Sequence, residues 1–197
     1  MAESKNLKET IIEAAWDLFH EKGFEQTTIN DIITRAGVAK GSFYYYFHGK
    51  DTLLDTLSSI LDKHYKLIEP DIMKIENCFD RLIEMNYLMH CYIGEKINYQ
   101  LIASLYAAQL TNEKGSSLLD QNRYYFQMLS RIITEGQKKG DITKKKSVAQ
   151  LVHMYGVCER ALVTDWCMNK GSYDLGEFSK EYMPLLFAKF RGENKPE

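Results

Sequence analysis

Between Lys40 and Phe47 the chain reads KGSFYYYF, placing a lysine, a serine and three successive tyrosines around two phenylalanines spaced four apart. On a helix that spacing stacks Phe43 and Phe47 on one face as anchors. Lys40, Ser42, Tyr44, Tyr45 and Tyr46 are left to project around the opposite, solvent-facing side. Core packing gives no reason to expose three phenols. Their hydroxyls suit phosphate oxygens and their rings suit thymine methyls, while Gly41 lets a backbone approach closely. Thr27 and Thr28 open the preceding helix, where free amides and the positive dipole end favour an anion and the hydroxyls add donors. Lys50, at the entry to the next helix, is a further candidate for phosphate contact. The chemistry in view is recognition of a duplex nucleic acid.

The elements that must hold this surface are written in helical period. From Leu7 to Lys22 the apolar residues Leu7, Ile11, Ala14, Ala15, Leu18 and Phe19 fall three and four apart, and Gly23 supplies a stop. Thr28 and Asp31 form the T-x-x-D version of a capping box ahead of Ile29, Ile32, Ile33 and Ala36, and Gly37 ends that short helix. His48-Gly49-Lys50-Asp51 breaks the chain before a fourth helix carried by Leu53, Leu54, Leu57, Ile60 and Leu61. Pro70 places a boundary near Ile68 to Asp71. Further helices are expected at about 72–92, 97–110, 118–137, 147–168 and 175–190, the last kinked or restarted at Pro184. The expected fold is all-α with about nine helices, divided into 1–50, a connecting helix over 51–70, and a helical domain over 71–197.

Composition narrows the function classes. A chain of 197 residues with 45% hydrophobic residues can bury a substantial core, and its net charge of -2 excludes a generally basic coat. Within residues 1–50 the acids Glu3, Glu9, Glu13, Asp17, Glu21, Glu25 and Asp31 even outnumber Lys5, Lys8, Lys22, Arg35, Lys40 and Lys50, so any DNA contact must come from a local patch. No apolar run reaches membrane-spanning length, and the expected location is the cytoplasm. Cys78, Cys91, Cys158 and Cys167 stand singly and are expected as small buried hydrophobes. The histidines lack metal-ligand spacing, and no nucleophile elbow or phosphate loop occurs, so no catalytic residue, metal or cofactor is assigned. Lys144 to Lys146 precede the Ser147 cap and are expected to be a solvated loop.

The sequence Thr28-x-x-Asp31-Ile32-x-x-x-Ala36-Gly37-Val38-x-Lys40-Gly41-x-x-Tyr44-x-Tyr46-Phe47 resembles the DNA-binding signature of the TetR family. The resemblance implies a three-helix N-terminal helix-turn-helix domain followed by a C-terminal helical domain for ligand binding and dimerisation. It also implies that Thr27, Thr28 and Lys50 hold phosphate. Lys40, Gly41 and Ser42 would sit in the major groove, and Tyr44, Tyr45 and Tyr46 would contact backbone or base edges. The implied function is a transcriptional repressor, a homodimer on a palindromic double-stranded operator that a small-molecule inducer releases. One short recognition helix offers few base contacts, so two are needed on successive major grooves. The helices around Leu151 to Trp166 and Phe178 to Phe190 are the expected four-helix interface.

Aromatic and methionine residues crowd the C-terminal half, and most must be core. From them Met85, Met89, Tyr92, Tyr106, Phe126, Tyr155 and Trp166, together with Glu159, are taken as the candidate lining of a largely apolar effector pocket. Two other readings stay open at this stage. One is a helical enzyme using Glu159 or Asp165 with His153, and the other is a protein-binding adaptor whose DNA head has degenerated.

Overall fold

The computed structural model describes residues 6–111 and 117–192. Among them the chain is helical throughout, and the only β-type pairing is an isolated bridge between Ile142 and Arg191. The helices are α1 (Leu7–Lys22), α2 (Ile29–Ala36), α3 (Lys40–Tyr46), α4 (Asp51–Leu54), α5 (Leu57–Ile72), α6 (Cys78–Lys96), α7 (Tyr99–Thr111), α8 (Tyr124–Lys139), α9 (Val148–Met168) and α10 (Leu175–Leu186). Counting the interrupted α4 and α5 as one gives the nine expected from the pattern.

The interruption follows from side chains competing for carbonyls. The Thr56 hydroxyl donates to the Leu53 carbonyl at 2.6 Å, and the Ser58 hydroxyl donates to that of Asp55 at 2.8 Å. Local hydroxyl bonds of this kind offer the backbone an alternative to helix. Pro70 sits in the last turn of α5, so the helix runs two residues past it, to Ile72. Pro184 behaves alike: α10 carries it to Leu186, and a single 3-10 turn, Ala188–Phe190, follows. The segment expected as helix from Leu118 is instead a 3-10 turn, Ser117–Leu119, with α8 beginning at Tyr124.

The described residues cluster into two compact units, one within 1–59 and 97–119 and the other within 60–96 and 120–197. In the first, Ile11, Ala15, Leu18 and Phe19 of α1 are buried with Ile32, Phe43, Leu53 and Leu54. Trp16 Nε1 donates to Thr56 Oγ1 at 2.9 Å, and Phe19 meets Phe24 edge-on at 5.1 Å. Helix α7 groups with these N-terminal helices rather than with those that follow Pro70. Gln109 Nε2 donates to Asp55 Oδ1 at 2.7 Å, and the Ser117 hydroxyl donates to the same oxygen at 3.2 Å. Asp55 at the α4–α5 break thus gathers the end of α7 and the turn beyond.

In the second unit α6 packs on α10 and α8, and α9 packs on α8 and α10. Arg81 is buried and fully used: it donates to the Ile75 carbonyl at 2.6 Å and pairs with Glu135 at 2.8 Å. Asp141 accepts from the Cys78 amide at 2.9 Å, capping α6 from the loop after α8. That loop lies against Gly136, where a methyl would stand 2.7 Å from Ile142 Cδ1 and 2.8 Å from Cys78 Cβ. Alanine at a mid-helix glycine normally gains about 1 kcal/mol. Here overpacking costs about 1–3 kcal/mol and should win. Gly136→Ala is therefore expected to lower the urea midpoint, and a raised midpoint would contradict this packing.

Candidate nucleic-acid interface

Helix α3 has seven residues and no side-chain cap at Ala39. A helix that short is not stable alone, so its position depends on its anchors. Phe43 is 0% and Phe47 4% exposed, with ring centroids 5.9 Å apart. On the other side Tyr45 is 81% and Tyr44 43% exposed. Lys40 is exposed, and Ser42 and Tyr46 are half-buried, Tyr46 with its ring edge-on to Tyr45 at 4.9 Å. Gly41 is informative by elimination. A methyl there would meet nothing within 4 Å and its φ is not positive. The fold itself gains nothing from a glycine that costs helix stability, and the surface beside it is open.

Two of the expected phosphate ligands are placed elsewhere. Thr27 is 1% exposed, and its hydroxyl donates inward to the carbonyls of Gly23 at 2.7 Å and Leu18 at 3.3 Å. It ties off the end of α1 and presents no side-chain donor to solvent. Lys50 Nζ donates to the carbonyls of Phe24 at 2.8 Å, Glu25 at 3.3 Å and Thr27 at 3.3 Å, and lies 4.4 Å from the Phe24 ring centroid. Its charge satisfies the loop between α1 and α2. Only a residue reaching back across more than twenty positions could have revealed this, and sequence spacing holds no such signal.

Thr28 is exposed and forms the full capping box. Its hydroxyl oxygen accepts from the Asp31 amide at 3.2 Å, and Asp31 accepts from the Thr28 amide at 2.8 Å. Lys22 lies 2.6 Å from the Asp31 carboxylate, which with the two Thr28 bonds holds that carboxyl far below the ordinary range. Arg35 is held by Glu21 through two bonds of 2.9 and 2.7 Å. Asp31 and Glu21 therefore neutralise Lys22 and Arg35, and Lys40 is the cation that α3 offers outward.

The second unit holds a buried polar cluster. Glu159, 13% exposed at its side chain, accepts from Tyr65 at 3.0 Å on one carboxylate oxygen and from Tyr125 on the other. His90 Nε2 lies 3.9 Å from Glu159 and 3.4 Å from Asn86 Nδ2, while its Nδ1 meets the Ser179 hydroxyl. Burial raises the Glu159 carboxyl, opposed by the two phenols, and pushes both phenols well up. Burial alone drives the His90 imidazole down to about 3.

Of the expected pocket residues, Met85 and Met89 are fully buried on α6, and Tyr155 donates to the Leu82 carbonyl at 2.8 Å. Phe126 packs edge-on to Tyr125 at 4.8 Å. Tyr92 is half-buried and stacks on His64 at 3.8 Å. Trp166 is committed to the Tyr173 carbonyl at 3.0 Å, two turns beyond Glu159, and Tyr106 lies on α7 in the other unit. Tyr65, Asn86, His90, Tyr125 and Ser179 were missed. Asn86 and His90, four apart on an apolar helix, were the legible part of that signal. The supposed acid-base set does not assemble: His153 and Asp165 are exposed whereas the Glu159 side chain is only 13% exposed and turned to Tyr65 and Tyr125. Among the described residues no group of three metal-ligating side chains occurs, and no helix is long and apolar enough to cross a membrane.

A sequence profile described as bacterial regulatory proteins of the tetR family matches residues 11–57, and one described as the YsiA-like C-terminal region matches residues 72–189. The chain is 28% identical over 180 residues to the fatty acid metabolism regulator protein of Bacillus subtilis, covering 90% of this chain and 92% of that one. The crystal structure of the transcriptional regulator FadR from Bacillus subtilis in complex with stearoyl-CoA is similar with a TM-score of 0.71 and 25% identity, over 91% of this chain and 97% of the other. Thermus thermophilus FadR in complex with lauroyl-CoA shares the fold, with a TM-score of 0.70 at 17% identity over 96% and 99% of the two chains.

The buried imidazole has a consequence for stability. Its folded pKa lies below its unfolded value of about 6.5, so the unfolded chain binds the extra proton and stability falls as pH drops from about 6.5 toward 3. The limiting slope is about 1.4 kcal/mol per pH unit. Urea unfolding across that range should show a shallower acid limb for His90→Gln than for the wild type. Equal limbs would mean that His90 is not buried in neutral form.

Proposed function

This chain belongs to the TetR family of bacterial transcriptional regulators, with a YsiA-like C-terminal region, and from that premise we propose a homodimeric repressor released from a palindromic operator by a long-chain acyl-CoA. The observation that carries DNA binding is the outer face of α3, where Lys40 and the Tyr44 and Tyr45 phenols stand exposed around a glycine the fold does not need. In the major groove that glycine admits the backbone. The phenols and Lys40 reach phosphates and base edges, and Thr28 presents the start of α2 to a flanking phosphate. Thr27 and Lys50 act one step back, by fixing the loop that sets the angle between α1 and α2.

Two half-sites require two recognition helices about 34–36 Å apart, and α9 carries the surface for that pairing. Met154, Val157, Ala161, Thr164 and Met168 recur four and three apart and are all exposed, Met168 at 78%. Tyr182, Leu185 and Leu186 extend the apolar surface on α10. A stripe of this length facing solvent suits a second copy of the same stripe. The acyl-CoA reading is supported by the stearoyl-CoA complex of the Bacillus subtilis regulator, and by the flexible Met85 and Met89, fully buried on α6 in the second unit. Release needs only that the ligand favour the DNA-incompetent shape by about 1–3 kcal/mol, which weakens operator binding about 5- to 150-fold.

Fluorescence anisotropy with the protein's own upstream DNA, run across a salt series, tests this reading. Lys40→Ala should weaken binding and make the salt dependence shallower, by about one phosphate charge per protomer. Lys50→Ala should lower the melting temperature and leave the salt slope unchanged. Stearoyl-CoA should raise the melting temperature and dissociate the complex. Absence of sequence-selective, salt-sensitive binding by the folded wild type would overturn the proposal.

A further inference from the structure

The cluster around Glu159 is rich in acceptors and poor in donors. Tyr65 and Tyr125 each give their single proton to a different oxygen of Glu159. The neutral imidazole of His90 has one N–H to share, and its two nitrogens face Ser179 and the Asn86 amide nitrogen. This leaves Asn86 Oδ1 inside the protein, on a residue 1% exposed, with no hydrogen-bond partner among the described residues. It is the only side-chain atom in that position there. Native folds rarely keep such an atom unless something else satisfies it.

We infer that Asn86 and Glu159 form a subsite for a hydroxyl group carried on the effector's acyl chain, so that the preferred effector is a hydroxylated acyl thioester rather than a plain saturated one. The inference rests on the acyl-CoA reading above. A hydroxyl supplies a proton to Asn86 Oδ1, which no neighbour reaches, or to a spare lone pair of the Glu159 carboxylate. A neutral donor suits the site better than an ammonium, because the positive charges of Arg123 and Arg160 already act on Glu159. Arg123 is itself held by Asp62 at 2.8 Å. On α6 Met85 precedes Asn86 and Met89 follows one turn later, both buried and both unbranched, so that either can change rotamer as a chain enters. A wholly apolar chain laid against Asn86 Oδ1 would leave that acceptor unpaired, and this gives the site its discrimination.

Calorimetric titration of the full chain with stearoyl-CoA, with positional isomers of hydroxystearoyl-CoA and with the matching ketostearoyl-CoA tests the subsite. At least one hydroxy isomer should bind about tenfold more tightly than stearoyl-CoA, a difference of about 1.4 kcal/mol. Asn86→Leu should erase that preference while still binding stearoyl-CoA. Glu159→Gln, which keeps the carboxyl shape, should reduce the preference even if Asn86→Leu fails to fold. If stearoyl-CoA binds and every hydroxy isomer binds no better, the subsite is overturned and the acyl-CoA reading stands. Preference for the keto compound would also overturn it, since a ketone brings only another acceptor. Binding of no thioester at all would remove both.

Discussion

Burial of the Phe43 and Phe47 rings is the constraint on which the exposed face of α3 depends. Seven residues with no cap cannot hold a helix by backbone bonds alone. Two rings 0% and 4% exposed fix its rotation, and that rotation decides which side chains leave the protein. With the anchors inward, Lys40, Tyr44 and Tyr45 have nowhere to go but out. The same burial lets Gly41 sit in the first turn of α3, because tertiary packing supplies what its own propensity withholds.

The electrostatics around that helix explain how an overall acidic chain serves a polyanion. Lys22 and Arg35 are neutralised by Asp31 and Glu21, and Lys50 is absorbed by three backbone carbonyls. On the proposed reading, recognition leans on phenols, a threonine-capped helix start and one outward lysine instead of a basic sheet of charge. Such neutral donors depend on geometry more than on counterion release, which fits a surface held by buried rings. At the far end of the chain a different balance holds. Glu159 is buried because two phenols share its charge, and its neighbours stay neutral because burial leaves them no alternative.

Much of this was legible in the residues and some was not. The four-residue spacing of Phe43 and Phe47, the Thr28–Asp31 capping box and the glycine stops at Gly23 and Gly37 are local signals, and the structure follows them. The inward bonds of Thr27 and Lys50 were not legible because their partners are carbonyls brought near by tertiary folding, which no spacing records. The α4–α5 break escaped notice because hydroxyl-to-carbonyl bonds from Thr56 and Ser58 interrupt a pattern whose apolar period continues through it. In the C-terminal half, type alone marked Tyr155 and Glu159, yet the partners that define their cluster come from α5, α6, α8 and α10, hundreds of possible pairings that only the fold selects.

The central claim is that the phenol face of α3 meets duplex DNA. Replacing Tyr45 with a photo-crosslinking phenylalanine analogue and irradiating the protein with its upstream DNA addresses it at the residue concerned. The account predicts a covalent protein–DNA product that competitor operator suppresses and unrelated DNA does not. A crosslink to a second protein chain instead, with DNA untouched, would contradict it.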